Sequence, residues 1–243
     1  MSVITVRGPI DCEELGVTDI HEHILCNFAG NYEPDPARPE LAQAKVGFDN
    51  IGLLTNNPLA IPDNLILSDR ETAVRELEAY RSAGVRTIVE VSTREIGRDP
   101  LGLQLISEAT DLHIVACTGH YIHTFLPPDQ AERSVEEITE TMNQELMVGI
   151  DDTGVRAGII GELGTSERIY PDEERSLRAA ARVNRHLGAP LMVHTDPQSR
   201  MALEVLDILR SEGADLSKVS ICHMDSAFME DTYLEGILAT GAY

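Results

Sequence analysis

Short apolar runs alternate with helix-patterned stretches from one end of the chain to the other, and this alternation limits the fold more than any other feature. The runs cover residues 17–24, 85–92, 113–118, 157–163, 190–195 and 219–223. Each is long enough for a strand and short for a helix. Most are nearly continuous in apolar character, as strands covered on both faces are. The stretches between them carry helix punctuation. Ser68-Asp69-Arg70-Glu71 and Ser134-Val135-Glu136-Glu137 match the capping box, in which serine and glutamate satisfy orphan amide donors reciprocally. Pro100 after Asp99 and Pro171 after Tyr170 suit a first helical turn, and Gly84, Gly188 and Gly213 suit C-caps ahead of strands. Strict alternation implies parallel strands joined by helical crossovers, hence an α/β fold. No linker, charge block or low-complexity segment divides it, so residues 1–243 read as a single domain.

Two features depart from a plain strand–helix repeat. Residues 28–67, rich in Pro, Asn and Gly, form a connection far longer than usual. Its place directly after the first strand favours a lid or pocket wall. Six strand–helix units are present, and Gly241-Ala242-Tyr243 reads as the opening of a seventh strand. A (β/α)8 TIM barrel ordinarily takes about 250 residues, and the long first connection uses up part of that length. The expectation is an open sheet or a barrel with about six of its eight units present, incomplete at the C-terminus.

Composition narrows the function. The 243 residues hold 19 basic and 41 acidic side chains, a formal charge of −22, which disfavours nucleic acid and anionic membrane surfaces as partners. No apolar run approaches a spanning length, and the first residues lack the basic and long apolar regions of a secretion signal. A cytoplasmic protein acting on a small molecule is expected. Cys12, Cys26, Cys117 and Cys222 are widely spread with no CxxC pair, so they read as buried thiols.

The histidines give the sharpest signal. His21 and His23 lie two apart on the first strand, so both point to one face while Glu22 points to the other. Glu162, His194 and His223 close three later strands at intervals of 32 and 29 residues, each near one strand–helix unit. All five therefore gather at the C-terminal rim, where parallel α/β folds build their sites. Imidazole and carboxylate suit zinc and related divalent ions, and an unpaired buried carboxylate would be costly without a partner. Gly161 and Gly164 are small enough to leave room beside Glu162. His120 and His123 follow the third strand on the same rim and are candidate substrate-pocket residues. His113 begins its strand at the opposite end and reads as structural. His186, in a helix's last turn, suits the helix dipole.

Together these motifs resemble the phosphotriesterase family of the amidohydrolase superfamily. The resemblance spans nearly the whole chain. It rests on Val6-Arg7-Gly8-Pro9-Ile10, the HxH, Val91-Ser92-Thr93, Gly97-Arg98-Asp99, His113-Ile114-Val115-Ala116 and Thr118-Gly119. It continues through Gly158-Ile159-Ile160-Gly161-Glu162-Leu163-Gly164, Val193-His194 and Cys222-His223-Met224-Asp225. It implies a (β/α)8 barrel of amidohydrolase type holding two divalent metals, zinc being the expected ion. His21 and His23 would bind the more buried ion, His194 and His223 the more exposed one, and Glu162 would bridge them. Glu162 stands where the best-known members carry a carboxylated lysine, which places the chain with the glutamate-bridged, phosphotriesterase-related branch. Catalysis would fall to Glu162, His194 and His223 with a hydroxide held between the metals, cleaving a small ester, lactone, amide or phosphoester. The family's eighth-strand aspartate has no counterpart in this sequence, and neither Asp196 nor Asp225 occupies the matching strand. The resemblance allows a homodimer. Two alternatives compete: a TatD-type metal-dependent nuclease, and an inactive truncated fragment.

Overall fold

In the computed structural model, residues 2–225 and 231–243 are described. An antiparallel hairpin, β1 (Ser2–Thr5) and β2 (Gly8–Asp11), leads into β3 (Val17–Glu22). The long connection is closed at its base by the pairing of β4 (Cys26–Asn27) with β5 (Ile66–Leu67), and it contains α1 (Ile51–Asn56). There follow α2 (Arg70–Ser82), β6 (Val85–Glu90), α3 (Pro100–Thr110) and β7 (His113–Thr118). Next come α4 (Pro128–Ala131), α5 (Val135–Met147), β8 (Ile159–Thr165) and α6 (Pro171–Leu187). The chain continues through β9 (Leu191–Thr195), α7 (Ala202–Ser211), β10 (Val219–Ile221) and α8 (Asp231–Leu238).

The six expected strands form one parallel sheet in the order β10-β9-β8-β7-β6-β3, which is chain order. Each helical crossover thus adds the next strand on the same side, as in a TIM barrel. Ile88, Ile114, Ala116, Ile160, Leu191, Val193 and Val219 face the helices in the main core. On the other face Val91, Val115, Cys117, Ile159 and Met192 form a smaller cluster with Val3 and Cys222. The sheet curls until its outer strands approach across that inner face. There Cys222 Sγ, just after β10, lies 3.3 Å from His21 Nδ1 on β3. Tyr243 does open a seventh position: its amide donates to Val219 O (3.1 Å) and its carbonyl accepts from Ile221 N–H (2.8 Å), a parallel bridge.

Several local expectations need correction. β3 is an outer strand, so Val17 and Ile20 are exposed rather than covered on both faces. The α2 cap is Asp69, not Ser68; its carboxylate accepts from the Glu71 and Thr72 amides (2.9 and 3.2 Å), a geometry a longer acceptor reaches from one residue further on. The Ser134 capping box on α5 and the left-handed Gly188 ending α6 are as expected. Cys26 and Cys117 are buried, whereas Cys12 and Cys222 are only partly so.

The 28–67 excursion has its own small core of Leu54, Ala60 and Ile61. Lys45, Val46, Asp63, Asn64, Ile66 and Leu67 wall a cavity of about 710 Å³ against Glu22, His23 and α2. That agrees with the pocket-wall expectation. Among the histidines only His23 reaches this cavity.

Candidate metal centre

Glu162 is the hub, and a register slip puts it there. Ile160 pairs with Leu191 and Leu163 with Val193, so three steps on β8 oppose two on β9. Ile160 and Leu163 consequently both pack toward the helices, and the extra residue lets Glu162 turn to the inner face. Gly161 makes the slip feasible. Its φ is +97°, and a Cβ there would sit 2.1 Å from Met192 O. Gly164 is equally confined, its would-be Cβ 2.3 Å from Ile122 N. The glycines therefore leave no open room beside Glu162; they admit the neighbouring backbone.

Around the buried Glu162 carboxylate the imidazoles converge. His23 Nε2 is 3.2 Å from Oε1, while His21 Nε2 and His194 Nδ1 are 3.3 and 3.4 Å from Oε2. His223 Nε2 lies 3.0 Å from His194 Nδ1. The period-two reading of the HxH holds: Glu22 turns away, accepting from the Tyr80 hydroxyl (2.9 Å). His223 lies two residues beyond the end of β10, not on it as expected. It adopts left-handed backbone (φ 64°), a conformation that costs about 1–3 kcal/mol in a non-glycine residue.

Two groups of donor atoms share Glu162. One is His21, Glu162 and Cys222; the other is Glu162, His194 and His223. His23 approaches the other carboxylate oxygen. These residues fit a divalent cation on one observation above others. Glu162 Oε2 is buried with two imidazole nitrogens nearby, yet it closes no hydrogen bond. An anionic oxygen in that state calls for a cation, and N/O donors suit zinc and its neighbours.

The electrostatics follow from the packing. Burial alone would raise the Glu162 carboxyl, but His194 and His23 reverse it and hold it well below the usual carboxylate range. Burial lowers His21 against the pull of Glu162; it lowers His223 too, helped by His194. For His23 burial is outweighed by Glu162, and its value is raised. Burial pushes the Cys222 thiol up to about 12 and the Glu90 carboxyl, on β6, up to about 7.

A pH prediction arises here for the metal-free protein. His21 and His223, depressed when folded, contribute stability that is lost as pH falls below about 6.5. Depressed Glu162 adds a further loss as pH falls below 4.5. Raised His23 opposes: its contribution is complete below 6.5 and is lost as pH rises through its folded value. The depressed groups act below about 6.5 and His23 above it, so thermal melts in chelator should show Tm rising slightly from pH 8 to about 6.5 and falling from there to pH 4. A flat profile would contradict the cluster's charge balance.

The two histidines of the β7 loop pair with other partners. His120 Nδ1 lies 2.7 Å from Glu95 Oε1, a buried tie between the loops after β6 and β7. His123 stacks on Tyr170 (4.3 Å, 2° between planes) and its Nδ1 lies 2.9 Å from Asp172, joining the β7 loop to α6. Neither Nδ1 faces Glu162. Tyr121, next to His120, does approach: its ring is 5.2 Å from His194 and meets Phe28 and Phe125 edge-on. Phe28 in turn abuts His23 (5.3 Å). Sequence reasoning missed this aromatic wall, whose members share no spacing. The signal it had was scarcity, since only 4% of the chain is aromatic. It also missed Ser92, whose Oγ is 2.9 Å from His23 Nδ1.

Comparison with known proteins places the whole chain among proteins of one family. The model of the phosphotriesterase family matches residues 1–243. The N-acetyltaurine hydrolase of Tetraodon nigroviridis is 36% identical over 243 residues, covering 99% of this chain and 70% of that protein. The crystal structure of a resiniferatoxin-binding protein from Rhodobacter sphaeroides superposes with a TM-score of 0.97 at 36% identity, over 100% of this chain and 68% of that one. The phosphotriesterase homology protein of Escherichia coli, solved with phosphate in its active site, gives a TM-score of 0.77 at 31% identity, over 96% and 70% of the two chains.

Proposed function

The chain belongs to the phosphotriesterase family, and from that premise we propose that it is a divalent-metal-dependent hydrolase of small N-acyl amides. The observation that carries the metal reading is the convergence of four imidazoles on one buried carboxylate with an unsatisfied oxygen. Support for the amide comes from the N-acetyltaurine hydrolases, which run at 30–36% identity over almost all of this chain. The family match also weighs against a TatD-type nuclease.

His21, His23, Glu162, His194 and His223 would hold the ions, with Glu162 shared between the two groups. Two divalent cations bound there would supply Lewis acidity and would bring the pKa of a water to about 7. The protein's own part is to keep Glu162 ionised and both HxH rings aimed at it. Phe28, Tyr121 and Phe125 exclude water from one flank of the centre. Zinc is the ion we expect.

The test is metal content by elemental mass spectrometry, coupled to amine release from N-acetyltaurine and a panel of N-acyl amides, esters and lactones. Two equivalents per chain are expected, with amide turnover that disappears on chelation and returns with zinc. Near-zero metal in a folded sample would overturn the metal reading. Turnover confined to lactones or phosphoesters would overturn the amide.

A further inference from the structure

Both HxH rings present Nε2 to Glu162, and each has a specific group behind it at Nδ1. For His23 that group is the fully buried Ser92 hydroxyl at 2.9 Å, from the segment just after β6. For His21 it is the Cys222 thiol at 3.3 Å, reaching across the inner face from beyond β10. The two contacts come from strands on either side of the HxH. They resemble one another only in what they do to the ring.

We propose that Ser92 and Cys222 are positioning residues that accept a hydrogen bond from Nδ1–H of His23 and His21 and so fix the tautomer in which Nε2 offers a lone pair to a cation. The inference rests on the metal reading above. A neutral imidazole carries one N–H, so a proton held at Nδ1 leaves Nε2 free, and a proton at Nε2 abolishes ligation from that atom. Outer partners of this kind fix ring orientation as well as protonation, and their loss typically weakens metal binding by about 10–100-fold. Serine is well suited to His23, because its hydroxyl can accept from the ring while donating elsewhere. Cys222, grouped above with His21 and Glu162, serves in this reading behind the ring and not as a ligand, and it is a weaker acceptor than serine. It ties His21 to the opposite edge of the curled sheet, so the ring's orientation depends on that edge being in place.

Glu162 makes the assignment more specific. Both Nε2 atoms lie 3.2–3.3 Å from its oxygens, so an Nε2–H tautomer would let the rings satisfy the carboxylate directly. Oε2 accepts no hydrogen bond from His21 in this geometry, so nothing there competes with donation from Nδ1 to Cys222.

The experiment reads tautomers by long-range proton–nitrogen correlation on histidine-labelled, metal-free protein at pH about 9, above the ordinary imidazole value. In the wild type both His21 and His23 should be Nδ1–H. Ser92→Ala should move only His23 toward the Nε2–H form, and Cys222→Ala only His21. Each should weaken zinc or cobalt binding, in competition with a chelator, by roughly 10–100-fold. Ser92→Thr and Cys222→Ser, which keep an acceptor in place, should restore the tautomer and most of the affinity. A merely structural contribution would lower Tm without moving one ring selectively. The proposal is overturned if either wild-type ring is Nε2–H, or if the alanine variants leave the tautomers unmoved. A wild type that shows both tautomers but takes up no metal would sink the metal reading alone and leave the two hydrogen bonds standing.

Discussion

Replacing Glu162 by alanine should lower kcat/KM for the best substrate by at least about 10³-fold, close to 4 kcal/mol of transition-state stabilisation. Metal content should fall with it. The size of the effect follows from position. Among the described residues Glu162 is common to both donor groups, so its loss removes a donor from both together. Replacing His194 removes a donor from one group, and its effect on metal content should be smaller. Glu162→Gln is the more informative variant. It keeps the volume and one carbonyl acceptor, but the amide carries no charge to balance a cation and turns N–H donors toward imidazole lone pairs that would otherwise ligate it. It should bind no more than one equivalent and be nearly as impaired as the alanine variant. Metal analysis and steady-state kinetics on the same preparations check this. Glu162→Ala with activity within tenfold of wild type would remove Glu162 from the centre.

The fold and the hub of the site were legible for one reason: both are governed by short-range periodicities. Strand–helix alternation implies the parallel sheet. Ligand-type residues at the ends of runs about thirty residues apart must then fall on one rim. The HxH obeys the period of two, and Glu22 turns outward as that period requires. What escaped depends on departures from period. The slip on β8 turns Glu162 inward, and a sequence shows only that glycine precedes it. In the loop after β7 the histidines carry the ligand-type signal, yet it is the Tyr121 ring that packs against His194 while His120 pairs with Glu95. Ser92 and Cys222 meet their histidines across 69 and 201 residues, and no local pattern reports such a contact. Gly97-Arg98-Asp99 carried family resemblance without disclosing its physical role. The structure shows that role to be structural.

Arg98 is the second place where a single change should have a large effect, here on stability. Its side chain is 1% exposed and forms a bidentate pair with Glu145 on α5, both contacts 2.7 Å. It also donates to Cys117 O (3.0 Å) at the end of β7, and Asp151 lies 3.3 Å away. The segment after β6, strand β7 and helix α5 are thus fastened by one guanidinium. Burial disfavours the charged guanidinium, yet the Glu145 carboxylate more than offsets this and raises its pKa. Arg98 therefore stays charged at every accessible pH. Arg98→Ala leaves Glu145 buried without its partner and Cys117 O without its donor. Breaking a buried pair from one side costs about 3–5 kcal/mol. In a domain of this size that is a Tm decrease of roughly 10 °C. Glu145→Ala should cost a similar amount, because it strands the guanidinium instead. The double variant Arg98→Met with Glu145→Leu distinguishes charge from packing. It removes both ions and refills the volume, so it should recover most of the loss, since desolvating two charges offsets much of their attraction. Thermal and denaturant melts of the three variants check the set. Additive losses in the double variant would mean that the two side chains act independently. A single-variant cost under about 1 kcal/mol would mean that solvent reaches the pair.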